Sequence, residues 1–143
     1  MRFWDSSAIA ALFAAEATRE RLLKLLDEDA GIVAWWGTPV EIASALARRE
    51  RGGLMTADEV AASLTAARAL ALTWNEVASS DSLRRSAERL LQVHALRAAD
   101  SLQLAAALIA ANHDPHSIDF VCLDTRLAAA AQREGFAVLG SVA

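Results

Sequence analysis

Short runs of apolar residues recur along this chain, and longer segments with helical periodicity separate them. The runs predicted as strands are residues 2–4, 31–34, 74–77, 120–123 and 137–139. Short, continuous apolar strands are typical of a parallel sheet that is buried on both faces. Parallel neighbours need a crossover connection, which is usually a helix. The alternation therefore predicts a helix-rich, three-layer α/β/α sandwich with a short central parallel sheet.

The segments between these strands carry the signals of helices. Apolar residues recur at spacings of three and four, and alanine, the best helix former, supplies 34 of the 143 residues. The sequence Thr56-Ala57-Asp58-Glu59 forms a capping box at the start of one segment. The predicted helices are residues 6–14, 18–29, 39–51, 56–72, 80–94, 97–111 and 125–134.

Length and composition restrict the class of protein. A chain of 143 residues favours a single domain, here residues 1–143. Its one cysteine excludes an intramolecular disulfide and a Cys-based zinc finger, and we expect a reduced, cytoplasmic protein. No apolar run approaches the roughly 20 residues that span a bilayer, so we expect no membrane partner. The net charge of −4 argues against binding nucleic acid mainly by bulk attraction.

Two aspartates follow predicted strands at equivalent junctions. Asp5 comes directly after the strand at 2–4, and Asp124 directly after the strand at 120–123. Functional sites in parallel sheets lie at the carboxyl ends of the strands, so both side chains are predicted at the same edge. Each also has a simpler interpretation as the N-cap of the helix that follows, a role worth ~1 kcal/mol.

Two further acids stand near the starts of helices. Glu41 ends the sequence Thr38-Pro39-Val40-Glu41, which fits a capping box with Thr38 as the N-cap and Pro39 as the first helical residue. Asp100 lies near the start of a segment that is apolar almost all round and is therefore predicted to be buried. A buried carboxylate without compensation costs several kcal/mol, so Asp100 needs a cation, hydrogen-bond donors or a proton.

The four acids together favour a metal site. Carboxylates that converge in one pocket repel each other unless a divalent cation lies between them. Oxygen ligands without cysteine or nearby histidine select Mg²⁺ or Mn²⁺ over zinc. One or two such ions on a carboxylate cluster are typical of nucleases that activate water for phosphoryl displacement.

Four ordered motifs carry a resemblance to a known family. They are Asp5-Ser6-Ser7-Ala8, Glu41-Ile42-Ala43-Ser44-Ala45-Leu46, the segment 96–107 around Asp100, and the segment 120–128 around Asp124 followed by 135–139. With them the chain resembles the PIN-domain family, specifically the VapC-type toxin ribonucleases of type II toxin–antitoxin systems, over nearly its whole length. The resemblance implies a PIN-like fold and assigns the family's acidic quartet to Asp5, Glu41, Asp100 and Asp124.

The resemblance also implies an activity and partners. It implies a Mg²⁺-dependent endoribonuclease, a hydrolase of RNA phosphodiester bonds that uses metal-activated water, with Mn²⁺ as a substitute cofactor. Members form homodimers and are inhibited by a cognate VapB-like antitoxin. The family's small polar residue falls on Ser7, expected to bond the carboxylates. Gln103 stands where the family often has histidine, and it is expected to face the site.

Other interpretations remain open from the sequence. Arg48, on the helix face of Glu41, and Arg97, one turn before Asp100, are candidates for contact with RNA or an antitoxin, but a solvated helix end and a structural salt bridge explain them equally well. A receiver-type signalling module needs paired acids and a late lysine, which this chain lacks. A PIN fold that has lost catalysis and binds RNA or protein is the principal alternative.

Overall fold

The computed structural model describes residues 1–14 and 17–140. The predicted single domain, 1–143, thus includes five residues that lie outside the described ranges. The strands are β1 (Arg2–Trp4), β2 (Ile32–Trp35), β3 (Asn75–Val77), β4 (Phe120–Val121) and β5 (Val138–Leu139). The helices are α1 (Ser6–Leu12), α2 (Thr18–Glu28), α3 (Thr38–Arg51), α4 (Ala57–Ala71), α5 (Asp81–Val93), α6 (Ala98–Ala110) and α7 (Thr125–Glu134), with one 3₁₀ turn at Pro115–Ser117.

The five strands form one parallel sheet in the order β3-β2-β1-β4-β5. Phe3 of β1 is in register with Val33 on one side and with Phe120 on the other. The chain therefore adds strands outward in one direction from β1 to β3, and then in the opposite direction from β4 to β5. The strand order reverses between β1 and β4, and this is where open parallel sheets bind ligands beyond their carboxyl ends.

Two apolar cores cover the two faces of the sheet. Alternate strand residues point to opposite faces, so Phe3 enters one core and Trp4 the other. The core containing Phe3 is closed by α5, α6 and α7, and the core containing Trp4 by α1, α2, α3 and α4. Helices on both faces of a short parallel sheet confirm the predicted three-layer, helix-rich α/β class.

The predicted boundaries differ from the observed ones in a few places. The strand predicted at 120–123 is only Phe120–Val121, although the Cys122 N–H still donates to the Leu139 carbonyl at 3.0 Å. The helix predicted at 6–14 ends at Leu12. The capping box at Thr56 and Glu59 is present with both of its reciprocal hydrogen bonds. Within the described ranges, no helix is long and apolar enough to cross a bilayer.

Candidate metal centre

Asp5 and Asp124 lie at the edge of the sheet where the strand order reverses. The Asp5 N–H donates to the Val121 carbonyl at 3.1 Å, which ties the end of β1 to the end of β4. Both aspartates are also N-caps: Asp5 accepts from the Ala8 N–H at 3.2 Å, and Asp124 accepts from the Leu127 N–H at 2.9 Å. The capping interpretation is therefore correct for both residues, and it holds them at the same edge of the sheet.

All four acidic residues of the predicted quartet line one cavity of about 300 Å³. The end of β1 supplies Asp5, and the loop after β4 supplies Asp124. Glu41 and Asp100 come from the first turns of α3 and α6. Four segments that are distant in the sequence thus contribute one carboxyl group each.

Asp5 is the most deeply buried of the four, with 2% of its surface exposed. Its carboxylate accepts a hydrogen bond from Ser7 Oγ, which lies 2.8 and 2.9 Å from the two carboxylate oxygens. Ser7 Oγ in turn accepts from the Leu123 N–H at 3.0 Å. Burial raises the pKa of Asp5 to about 7, although the hydrogen bonds from Ser7 and Ala8 oppose the shift.

Glu41 does not belong to a capping box, so that interpretation of the sequence is wrong. Helix α3 begins at Thr38 with Gly37 as the N-cap, and no side chain caps it. The Thr38 hydroxyl points into the protein and accepts a hydrogen bond from Gln103 Nε2 at 3.1 Å. The Glu41 carboxylate instead accepts from Ser6 Oγ at 3.0 Å and from Gln103 Nε2 at 2.8 Å. Side chains therefore hold both oxygens of Glu41. Ser6 lines the cavity, whereas Gln103 is fully buried and contacts Glu41 without lining the cavity itself.

The carboxyl groups of Glu41 and Asp100 are partly buried and carry raised pKa values. Burial is the main cause for Glu41, and the negative charge of Asp100 adds to it. For Asp100, burial and the neighbouring Asp124 raise the pKa, while a backbone hydrogen bond from Arg97 and the charges of Arg97 and Arg126 lower it. The site therefore resists full ionisation, as expected where carboxylates repel each other in a partly dry cavity.

The donor set suits a hard divalent cation. The candidate ligands are carboxylate oxygens, and no histidine of the described ranges lines the cavity. Such donors suit Mg²⁺ and Mn²⁺ rather than zinc. In the part of the chain that the structure describes, no three Asp, Glu, His or Cys side chains are close enough together to hold a metal ion as they stand. The residues therefore suit a divalent cation in donor type and in charge, because a cation would compensate the buried carboxylates. Their side chains are not arranged in a complete coordination shell.

Sequence reasoning missed three residues at this site. Ser6 holds one oxygen of Glu41, Thr38 holds the amide of Gln103, and Arg126 lowers the pKa of Asp100. The position of Ser6 directly after Asp5 is a local signal that could have identified it. Thr38 and Gln103 are 65 positions apart in the sequence, so no local pattern connects them.

Comparison with known proteins gives a match of fold. No family model matches the sequence, and a search of curated proteins finds no significant match. Among solved structures, the crystal structure of FitAcB from Neisseria gonorrhoeae matches with a TM-score of 0.63. The alignment covers 96% of each chain at 17% sequence identity. The fold is PIN-like. At this identity the match establishes the PIN-like fold alone.

The hydrogen bond between Gln103 and Glu41 yields a prediction that needs no substrate. Donation from an amide favours the ionised carboxylate and lowers its pKa. The Gln103→Leu substitution should therefore raise the pKa of Glu41 further, because its burial persists and the donor is lost. A carbon-detected NMR titration of glutamate carboxyl groups, with the Glu41 signal assigned from Glu41→Gln, measures the shift. An unchanged or lower pKa would contradict the hydrogen bond, and Glu59 serves as an internal control.

Proposed function

We propose that this protein is a Mg²⁺-dependent endoribonuclease and the toxin of a VapBC-type toxin–antitoxin pair. One observation carries the proposal: four carboxyl groups from four separate segments line a single cavity at the point where the order of a parallel sheet reverses. The resemblance of the sequence to VapC-type toxins and the PIN-like fold support the same assignment. RNA is the substrate in this proposal.

The residues have distinct roles in it. Asp5, Glu41, Asp100 and Asp124 would hold Mg²⁺, or Mn²⁺ in its place. When bound, the cation supplies charge stabilisation at the scissile phosphate and a more acidic water. Ser7 orients Asp5 through its hydrogen bond to that carboxylate. Ser6 and Gln103 fix the two oxygens of Glu41, so that its carboxylate does not rotate away from the cavity.

Protons can also be handled by the chain itself. A carboxyl group whose pKa lies near neutrality can take up or release a proton at working pH, and burial brings Asp5 into this range before a cation binds. As a ligand of a divalent cation, Asp5 would be ionised and would have released its proton to solvent, because positive charge favours the ionised form. Asp100 and Asp124 are more accessible than Asp5 and would orient the attacking water at the open side of the cavity.

Two partners belong to the same proposal. The family resemblance implies a VapB-like antitoxin that inhibits the enzyme, and a homodimer. An antitoxin supplied in trans should therefore restore growth to cells whose growth is arrested by this protein.

A catalytically silent PIN-fold module that binds RNA or protein is the second candidate. One observation favours it: among residues 1–14 and 17–140, the carboxylates do not close into a cage for a metal ion. The two candidates differ in a single property, which is whether a divalent cation converts binding into cleavage.

An RNA cleavage assay with controlled cation content separates the candidates. With Mg²⁺, the purified protein should cleave single-stranded RNA to products with 5′-phosphate and 3′-hydroxyl ends. EDTA should stop the reaction, and Mn²⁺ should restore it. Cleavage that persists in EDTA would exclude the metal mechanism. RNA binding without cleavage in either cation would favour the silent module.

A further inference from the structure

A second cavity lies beside the acidic one and has the opposite charge on its outer wall. Its volume is about 470 Å³. It shares Arg48, Asp100 and Asp124 with the acidic cavity, and its remaining charged side chains are Arg97 and Arg126. The two aspartates and Arg48 therefore lie between the cavities, with Asp5 and Glu41 on one side and Arg97 and Arg126 on the other.

The three arginines come from three different elements. Arg48 lies in the last turns of α3, Arg97 is the N-cap of α6, and Arg126 is the second residue of α7. The N-terminal ends of α6 and α7 and the C-terminal end of α3 meet around one opening. The opening is therefore built by the tertiary fold and not by a run of basic residues in the sequence.

The guanidinium groups of this cluster have no carboxylate partner among residues 1–14 and 17–140. Arg2, Arg84 and Arg89 each pair with a carboxylate elsewhere on the surface. Within the described ranges, Arg48, Arg97 and Arg126 form no salt bridge, and Arg48 makes only a long contact of 3.4 Å to Ser44 Oγ. Their charges are exposed around a concave opening, which leaves their donors available to an anion.

The overall charge makes this local cluster significant. With a net charge of −4 the protein does not attract a polyanion as a whole. A guanidinium group offers a planar pair of donors that matches phosphate oxygens. An RNA strand carries a phosphate at every linkage, so one strand can place a phosphate at the mouth of the acidic cavity, where the carboxylates would hold a cation, and the next phosphate among the arginines.

We propose that Arg48, Arg97 and Arg126 bind the RNA phosphate next to the one that is cleaved. This inference rests on the proposed ribonuclease function and assigns part of its substrate site. An acidic peptide is the competing ligand, because guanidinium donors match carboxylates as well as phosphates. The proposed ribonuclease function favours RNA.

RNA binding without cleavage tests the inference directly. In EDTA, we expect a fluorescently labelled single-stranded oligouridylate to bind with an affinity that falls as KCl is raised. Each phosphate contact to single-stranded nucleic acid contributes about 0.7 to the slope of log affinity against log salt. Arg48→Gln, Arg97→Gln and Arg126→Gln should each lower the slope by about this amount, and the triple variant by about 2. Arginine-to-lysine variants should retain most of the slope.

Arg85→Gln is the matched control, since Arg85 is an exposed arginine of α5 that lines neither cavity. Slopes that do not change in the three variants, or that change equally in the control, would overturn the inference. Absence of oligouridylate binding at low salt would overturn it as well. If the variants instead lose only the binding of an oligoglutamate probe, the arginines serve an acidic protein partner and the inference is wrong.

A modified substrate tests the position of the bound phosphate. In an RNA that the protein cleaves, the linkage on either side of the scissile one is replaced in turn by an uncharged methylphosphonate. At one of these two positions the replacement should lower kcat/KM at least about tenfold. The same modification should have little effect on the triple arginine variant, because the contact is already lost. Equal losses in both proteins would contradict the assignment. If the unmodified protein cleaves no RNA in Mg²⁺, the proposed function fails, while the salt slopes measured in EDTA still decide whether the arginines bind phosphate.

Discussion

Asp5→Asn should reduce Mg²⁺-dependent RNA cleavage by roughly 10²–10⁴-fold, the range for loss of a positioned group in acid–base chemistry. The substitution removes the most deeply buried negative charge of the cavity. It preserves the shape of the side chain and its role as N-cap of α1, because asparagine and aspartate cap helices equally well. A loss of activity would therefore be due to the missing charge and not to a weakened helix.

This experiment distinguishes the two interpretations of Asp5 that the sequence left open. If Asp5 were only a cap, the asparagine variant would cleave RNA as the unmodified protein does, and that result would exclude a catalytic role. Asp27→Asn is the matched control, since Asp27 is an exposed aspartate of α2 that lines neither cavity. Circular dichroism and thermal unfolding should show that both variants remain folded.

The second large effect is the dependence of the free energy of unfolding on pH in the absence of divalent cations. The pKa of Asp5 is raised from an ordinary 3.8 to about 7 in the folded protein. Between these values the folded state keeps a proton that the unfolded state has lost. The free energy of unfolding should therefore fall as pH rises from about 4 to about 7, and level off above it. At ~1.4 kcal/mol for each unit of pKa, Asp5 contributes about 4 kcal/mol to this decrease in the free energy of unfolding.

Glu41 and Asp100 add to this fall, because their pKa values are also raised. Chemical denaturation in EDTA at several pH values between 4 and 8 measures the effect. The asparagine variant at position 5 should be more stable than the unmodified protein at pH 8 and should show a shallower decline. A stability that rises with pH over this range, or an identical decline in the variant, would contradict the prediction.

Divalent cations should reverse the loss at high pH. A ligand that binds only the folded state increases the free energy of unfolding by RT ln(1 + [L]/Kd). Mg²⁺ or Mn²⁺ at pH 8 should therefore raise the melting temperature of the unmodified protein, and should raise that of Asp5→Asn much less. A cation effect of equal size in both proteins would place the binding site elsewhere.

Much of the scaffold could be predicted because its signals are local. The apolar run at Phe3 and Trp4 followed by Asp5, and the similar junction at Asp124, indicated the strands, the helix starts and a shared sheet edge. The capping box at Thr56 and Glu59 was correctly predicted, since its hydrogen bonds join residues only three positions apart. Such interactions depend on the sequence within one helical turn and change little with the rest of the fold.

The prediction for Glu41 failed for the opposite reason. Thr38, Pro39 and Glu41 fit the pattern of a capping box, but Gln103 from another helix offers the Thr38 hydroxyl and the Glu41 carboxylate a buried donor. A buried carboxylate must be satisfied, so the long-range contact prevailed over the local one. The sequence predicts that Gln103 faces the site, but its side chain is fully buried and donates to Thr38 and Glu41, partners that its own neighbourhood does not reveal.

The sequence by itself determined the alternation of strands and helices and the position of an acid at each of four element starts, because these depend on periodicity and capping within a few residues. Only the tertiary structure decided that the strand order reverses between β1 and β4, and that Arg48, Arg97 and Arg126 surround one opening. These features arise from packing between segments that are distant in the sequence, such as β1 and β4 with Trp4 beside Val121, where burial and charge compensation select the arrangement.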